Sequence, residues 1–211
     1  MKQLNPSISI IDNLSKVKEF HIKTGQNKII FIILINNKNQ SGDVKIIIEG
    51  QNTSVQILGA IIGSGDQQIK LYTFQDHQKP DSVSDLFIKS VLFDESHFQY
   101  EGLIKIEKDA QKSNAYQKNQ NLLIGQKAWA DSRPKLEILA NDVRCTHGAT
   151  IGKINEEEIY YLNTRGLNRQ NAQRLIIKGF LQNVIDRVPD ENIKIKLMKK
   201  IENKLNQMFK N

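Results

Sequence analysis

Apolar and polar residues alternate along much of the first two thirds of this 211-residue chain. Residues 44–48 and 69–72 show the period of two that a half-buried β-strand produces, because successive side chains point to opposite faces. Residues 29–35 are apolar throughout, as in a strand that is buried on both faces. Clusters of Asn, Asp, Ser and Gly separate these segments. The pattern predicts many short strands and no convincing helix before residue 150.

The number and spacing of these strands are compatible with a sandwich, a barrel or a solenoid. Strand centres follow one another at about 11 to 14 residues, a spacing that suits one edge of a solenoid coil for each strand. No motif of fixed period and no hexapeptide repeat accompanies the strands. Periodicity alone therefore does not choose among the three architectures.

The periodicity becomes helical from about residue 155. Asn155 with Glu158 resembles a capping box at a first helix, and Gly166 suits the end of that helix. Asn168 can cap a second helix, and Asp190, which follows a helix-breaking proline, can cap a third. We therefore predict three helices at the end of the chain.

The third predicted helix carries a narrow apolar stripe in which residues follow one another four apart. Its members are Ile193, Leu197, Ile201 and Leu205. A stripe of this kind requires a partner surface. That surface is either the β body of the same chain or another protein, and the length of the helix favours another protein.

Composition restricts the class of protein and its environment. The net charge of +7 and the pI of about 9.3 fit either simple solubility or a basic face for an acidic partner. Acidic residues interrupt the one dense basic run, at residues 191–204, and it lacks aromatic residues, which argues against nucleic-acid binding. The longest apolar run has seven residues, whereas a membrane span needs about 20. With a single cysteine and no secretory signal, we expect a cytoplasmic protein.

Cys145 and His147 are the residues most suited to chemistry. In a strand, residues two apart share a face, so a thiolate and an imidazole would lie side by side as half of a site for iron, zinc or sulfur. The remaining ligands would have to come from a second chain. His21, His77 and His97 are scattered, and we expect them at the surface or in loops. No catalytic triad and no phosphate-binding loop can be assembled, so we expect no self-sufficient enzyme.

A series of short motifs follows in a fixed order along the middle of the chain. They lie at residues 84–86, 101–106, 109–112, 115–123, 134–138, 142–145, 147–150, 160–162, 164–166, 172 and 179–180. Together they resemble the SufB/SufD family of iron–sulfur cluster assembly proteins over roughly residues 76–182. The resemblance implies a mainly β fold: a right-handed parallel β-helix over residues 1–150, followed by a C-terminal helical segment over residues 151–211.

Within that family, the helical segment docks the ABC-type ATPase SufC, and two β-helical subunits pair through their C-terminal coils. The resemblance implies a transient iron–sulfur cluster shared between those subunits, with His147 as the preferred cluster-site residue and Cys145 as the second candidate. It implies no nucleotide bound by this chain. The short apolar runs described above indicate no membrane partner. The residues it suggests for docking the ATPase are Tyr160, Leu162, Arg165, Leu175 and Phe180.

Two positions distinguish the branches of the family. SufB-type members carry Glu-His-Glu where this chain has Thr146-His147-Gly148, and a working cysteine where it has Asn119. The chain therefore resembles the SufD branch, and would pair with a SufB-type subunit or with itself. The missing cysteine leaves an alternative, a basic β-solenoid interaction module without cluster chemistry. A third hypothesis, a β-helical enzyme acting on sugars or acyl groups, requires a groove lined by two or more carboxylates.

Overall fold

The computed structural model describes residues 6–209, which form eleven β-strands followed by three α-helices. The strands are β1 Ser7–Ile11, β2 Lys18–Ile22, β3 Asn27–Leu34, β4 Gln40–Ile48, β5 Thr53–Gly63, β6 Gln68–His77, β7 Ser82–Leu92, β8 His97–Ile106, β9 Asn114–Leu123, β10 Trp129–Ile138 and β11 Arg144–Lys153. The helices are α1 Glu156–Thr164, α2 Arg169–Ile185 and α3 Glu191–Met208.

The strands form two parallel sheets, and each strand pairs with the strand two places further along the chain. The odd sheet has the order β1-β3-β5-β7-β9-β11, and the even sheet has the order β10-β8-β6-β4-β2. The chain thus winds as a β-solenoid of about five turns. Thr53 pairs with Ser82, and Val83 with Asn114, so one coil takes roughly 30 residues. The β-helix implied by the family resemblance is confirmed, and the sandwich and the barrel are excluded.

Successive coils turn the corner before the odd sheet through the same backbone conformation. Gly25, Asn52, Asp81 and Lys112 have φ angles of 72°, 53°, 55° and 60°, in the left-handed region. They stand one or two residues before β3, β5, β7 and β9. The repeat of this fold is therefore one of geometry, carried by four different residue types, and no sequence motif accompanies it.

The interior of the solenoid is an apolar core between the two sheets. Alternate residues of facing strands fill it, among them Ile32, Ile57 and Phe98, all of which are fully buried. This is the inward half of the alternating pattern in the sequence.

A second core lies outside the odd sheet, beneath the helices. Phe31 and Leu58 on the sheet pack in it with the stripe of α3, in which Leu197, Ile201 and Leu205 are buried. The expectation that this stripe docks another protein is therefore wrong. The physical reason is that residues 29–35 present apolar side chains to both faces of the odd sheet, and the outer face requires a cover.

The helices begin where the sequence predicts. The side chains of Asn155, Asn168 and Asp190 accept hydrogen bonds from backbone N–H groups in the first turns of α1, α2 and α3. Gly166, just beyond α1, has a φ of 91°. The predicted boundary at residue 150 falls inside β11, which continues to Lys153. Within residues 6–209, no helix is both long enough and apolar enough to cross a membrane.

Candidate functional site

Cys145 and His147 lie in β11, the last strand of the odd sheet. They pair in register with Ala115 and Gln117 of β9, whose buried side chains point into the solenoid. Both candidate residues therefore have the inward phase of the strand, as their spacing predicts. Because β11 is the last strand in the odd sheet, no further coil covers the inward-facing side chains of this strand within residues 6–209.

The two side chains differ in their surroundings. Cys145 is half-buried and packs against a small apolar cluster that includes Ile104 and Ala115. Burial raises the pKa of its thiol to about 11, so the thiolate needed for metal binding is scarce at neutral pH. His147 is exposed at the end of the solenoid. The surroundings therefore favour the imidazole over the thiol as a ligand for an incoming group.

These two residues form at most half of a metal site. Among the described residues, no group of three or more His, Cys, Asp or Glu side chains is arranged to hold a metal ion. A stable site for a soft metal uses about four protein ligands. Any cluster held here requires ligands from a second chain.

The last coil forms an open end. β10 and β11 each have one edge without a neighbouring strand in the part of the chain that the structure describes. Apolar side chains are exposed beside these edges: Ile138, Leu139 and Ile151. Free strand edges present backbone N–H and C=O groups that readily pair with another strand. The open end is therefore suited to pairing with a second β-structured protein.

The solenoid interior becomes polar beneath His147. The side-chain amide of Gln117 donates to the carbonyl oxygen of Gly102 at 3.3 Å, and that of Gln75 donates to Oε1 of Gln117 at 3.3 Å. The hydroxyls of Tyr100 and Thr73 lie 2.8 Å apart. Sequence reasoning missed this set. Its signal was present, because Gln75 follows the apolar inward residues Ile69 and Leu71 of β6 at the same period of two.

His77 is a buried structural histidine. Its Nδ1 and Nε2 atoms lie 2.7 Å from the hydroxyls of Ser82 and Ser84, respectively. Burial lowers its pKa to about 4, so the ring is neutral at physiological pH. The expectation of a surface or loop position is wrong for His77, because its strand phase points inward. His21 is exposed, and hydrogen bonds to Glu49 and Glu19 raise its pKa.

Asn119 stands where the resemblance places a cysteine in SufB-type members. Its side chain is buried, donates to the carbonyl oxygen of Ile88 at 3.3 Å and accepts from the amide of Asn121 at 2.7 Å. The residue thus closes a hydrogen-bond network inside the solenoid and supplies no thiol.

The residues suggested for docking the ATPase divide into two groups. Tyr160 is 72% exposed on α1, and Leu175 is 49% exposed on α2. Arg165 is also exposed, with its guanidinium carbon 5.2 Å from the ring centroid of Tyr161. Sequence reasoning did not select Tyr161, although it is 57% exposed. Leu162 and Phe180 are partly buried, and Phe180 packs on the outer core.

A groove of about 290 Å³ runs across the outer face of the even sheet. Asp43, Glu101 and Asp131 contribute three carboxylates to its lining. Glu101 is 2.7 Å from Nζ of Lys135, and Asp131 is 2.7 Å from the guanidinium of Arg133. The groove meets the requirement set for a sugar-acting enzyme, but two of its three carboxylates are already ion-paired, which disfavours acid–base work by a carboxylate pair.

Comparison with known proteins identifies relatives over most of the chain. Residues 16–180 match a family described as the SufBD core domain of the SUF system for iron–sulfur cluster assembly. The iron–sulfur cluster assembly protein SufD of Escherichia coli is 34% identical over 158 residues, which are 75% of this chain and 37% of that protein. SufD of Bacillus subtilis is 31% identical over 172 residues, which are 82% of this chain and 39% of that protein. The chain thus spans less than two fifths of the length of either relative.

Proposed function

This chain belongs to the SufB/SufD family, with SufD proteins among its relatives, and from that premise we propose that it is a SufD-like subunit in iron–sulfur cluster assembly. It would pair with a SufB-type subunit or with a second copy and bind the SufC ATPase. In this role the chain performs no catalysis alone, binds no nucleotide, and contributes to a transient cluster site at the subunit interface. We also propose the reducing cytoplasm as its compartment, in accord with its single free thiol.

The observation that carries the proposal is the position of His147 at the open end of the solenoid. A partner strand that added to the edge of β10 or β11 would cover Ile138, Leu139 and Ile151 and bring its own ligands next to the imidazole. A neutral imidazole is a good ligand for iron. The cluster is cargo that is built at this interface and passed on.

Helices α1 and α2 offer the surface for the ATPase. The guanidinium of Arg169 forms two hydrogen bonds, of 2.6 and 2.8 Å, with the carboxylate of Glu156, which ties the start of α2 to the start of α1. Exposed Tyr160, Tyr161 and Leu175 then supply apolar anchors of the kind that dominate protein interfaces. This surface is apolar, so it does not require the acidic partner that the net positive charge of the chain suggested.

Anaerobic iron–sulfur reconstitution with a SufB-type partner tests the cluster site. We expect His147→Ala to lose most of the cluster bound by the wild-type pair, measured by visible absorbance and by iron and sulfide content. Cys145→Ala should keep most of it, and His21→Ala, a substitution of an exposed histidine on β2, serves as the control. Equal cluster yields for the wild type and His147→Ala would instead favour the basic interaction module without cluster chemistry.

Co-purification with a SufC-type ATPase tests the docking surface. Leu175→Asp should weaken binding by at least ~10-fold, because it places a charge in an apolar contact. Ile195→Asp, at an exposed position of α3, is the matched control and should bind as the wild type does. Unchanged binding of Leu175→Asp would remove α2 from the docking surface.

A further inference from the structure

Lys89 is a buried lysine on the outer face of β7, beneath α2. It is only 6% exposed, and its ammonium lies 4.2 Å from the ring centroid of Phe180 and 5.2 Å from that of Phe87. No hydrogen bond or ion pair to this ammonium is formed by any residue from 6 to 209. Burial, followed by the nearby positive charges of Lys118 and Arg187, lowers the pKa of Lys89 to about 8. A buried cation without an acidic partner is costly and calls for a counter-charge.

Two further cations surround the ring of Phe87. Lys118 pairs with Phe87 in register across β9 and β7, and its ammonium lies 5.8 Å from the ring centroid. The guanidinium carbon of Arg187, just beyond α2, lies 4.3 Å from the same centroid. Three positive groups thus converge on one apolar ring from a strand, its neighbour and the end of a helix.

One carboxylate partly balances this cluster. Asp85, on the same face of β7, accepts a hydrogen bond of 2.9 Å from Arg187. Lys118, like Lys89, forms no ion pair with any residue that the structure describes. Three cations and one carboxylate leave two positive charges without compensation. A cation–π contact contributes about 0.5–2 kcal/mol, but an aromatic ring carries no net charge, so the two positive charges stay uncompensated.

We propose that Lys89, Lys118 and Arg187 form a binding site for a phosphate-type oxyanion in the seam between α2 and strands β7 and β9. A phosphate dianion matches the two uncompensated charges. Its several oxygens can accept hydrogen bonds from donors that approach from three directions. The rings of Phe87 and Phe180 exclude water beside the site, which strengthens each charge interaction. The site goes beyond the cluster assembly role and does not depend on it.

The position of Lys89 makes it the central donor. Lys89 and Phe87 are two apart in β7, so they share one face and are held by a central strand of the odd sheet. Lys118 and Arg187 are more exposed and form the rim of the site. An anion would therefore enter between the two rim cations and meet the buried ammonium at the base.

Calorimetric titration of the full chain with inorganic phosphate, at constant ionic strength, tests this site. Lys89→Met keeps an unbranched apolar side chain over Phe180 and should weaken phosphate binding by at least ~10-fold. Lys118→Gln, at a partly exposed position, should weaken binding by ~10-fold or somewhat less. Lys70→Met, an exposed lysine on the even sheet, is the control and should bind phosphate as the wild type does.

Two outcomes would overturn the proposal. One is the same heat of binding with sodium chloride as with phosphate. The other is wild-type phosphate affinity in both Lys89→Met and Lys118→Gln. A parallel titration with adenosine monophosphate distinguishes the source of the phosphate: equal Lys89-dependent binding of both ligands assigns the site to the phosphate group itself, and Lys89-dependent binding of the nucleotide alone assigns it to a phosphomonoester.

Discussion

Single residues in left-handed conformation set the corners of the solenoid. Gly25 occupies this conformation at no steric cost, whereas Asn52, Asp81 and Lys112 carry a Cβ there. Asparagine and aspartate tolerate the left-handed region better than other residues with a Cβ. Lysine lacks that tolerance, so Lys112 is strained. The strained conformation is held in place because the backbone N–H of Lys112 donates to the carbonyl oxygen of Asp142 at 2.6 Å.

Replacing Lys112 by glycine should therefore stabilise the protein. We expect the free energy of unfolding to rise by roughly 0.5–1 kcal/mol, because relief of the left-handed strain exceeds the entropic cost of glycine. Urea denaturation measures the change. Lys70→Gly, an exposed position in β6, should lower the free energy of unfolding by a similar amount. A loss of stability in Lys112→Gly would contradict this account of the corner.

Buried His77 makes stability depend on pH. Its folded pKa of about 4 lies below the ordinary value of 6.5, so the unfolded chain takes up a proton first as the pH falls. The contribution of neutral His77 is complete above pH 6.5 and is lost progressively between pH 6.5 and about 4. We expect this residue to account for a loss of about 2 kcal/mol between pH 7.5 and pH 5.

Chemical denaturation of the wild type and His77→Gln at the two pH values measures this contribution. The difference in free energy of unfolding between the proteins should shift by about 2 kcal/mol in favour of the variant at the lower pH. Using the difference removes the titration of the carboxylates that both proteins share. A constant difference would show that His77 does not carry the acid sensitivity.

Side-chain direction could be predicted from the sequence, but burial could not. The spacing of Cys145 and His147 places them on one face, and the structure agrees. That Cys145 is half-buried and His147 exposed depends on which residues of the neighbouring coils stand beside them. Such neighbours lie about 30 residues away in the sequence, where no local pattern reports them. The expectation for His77 is wrong for a different reason: it shares the inward phase of Ile69 and Leu71 in β6, which the alternating pattern indicates only when the strand is extended to residue 77.

At the scale of elements, α3 shows two faces with different roles. Its stripe could be predicted from the spacing of four, and so could its cap at Asp190. The surface on which the stripe packs could not be predicted, because the outer face of the odd sheet forms only when the coils stack. Ile201 is fully buried against that face, whereas Ile195 is 64% exposed on the other side of the helix.

An isoleucine-to-alanine substitution on each face of α3 distinguishes the stability that comes from core packing from the stability that comes from helix propensity. Ile201→Ala should lower the free energy of unfolding by about 2–4 kcal/mol, because it leaves a cavity in the outer core. Ile195→Ala should change it by no more than about 0.5 kcal/mol. Thermal and urea denaturation of both variants measure the effects. Equal effects of the two substitutions would mean that α3 does not rest on the odd sheet in solution.

At the scale of the molecule, the solenoid has two ends with different surfaces. Ile151 on β11 is 48% exposed, and Ile10 on β1 is 47% exposed at the opposite end of the odd sheet. The parallel β-helix itself came from the family resemblance. The strand pattern alone did not distinguish a sandwich, a barrel and a solenoid. The choice depends on which strands pair, and the paired strands lie roughly 30 residues apart in the sequence.

The proposed pairing surface makes a prediction that compares the two ends. Ile151→Lys should weaken association with a second copy or a SufB-type partner by at least ~10-fold, because it buries a charge in the interface. Ile10→Lys should leave association unchanged. Analytical ultracentrifugation over a range of concentrations measures both. A loss of association only in Ile10→Lys would assign the pairing to the other end.

The packing of α3 on the first coils has a consequence for synthesis. The ammonium of Lys204 hydrogen-bonds to the side chain of Asn37, 167 residues earlier, and to Ser64 at 3.0 Å. Phe31 and Leu58 emerge from the ribosome with the early coils, but α3, which covers them, begins 133 residues after Leu58 and is translated correspondingly later. At typical speeds of translation, that delay is on the order of ten seconds or more. A nascent chain halted before α3 is therefore expected to expose this apolar face and to be held by ribosome-associated chaperones.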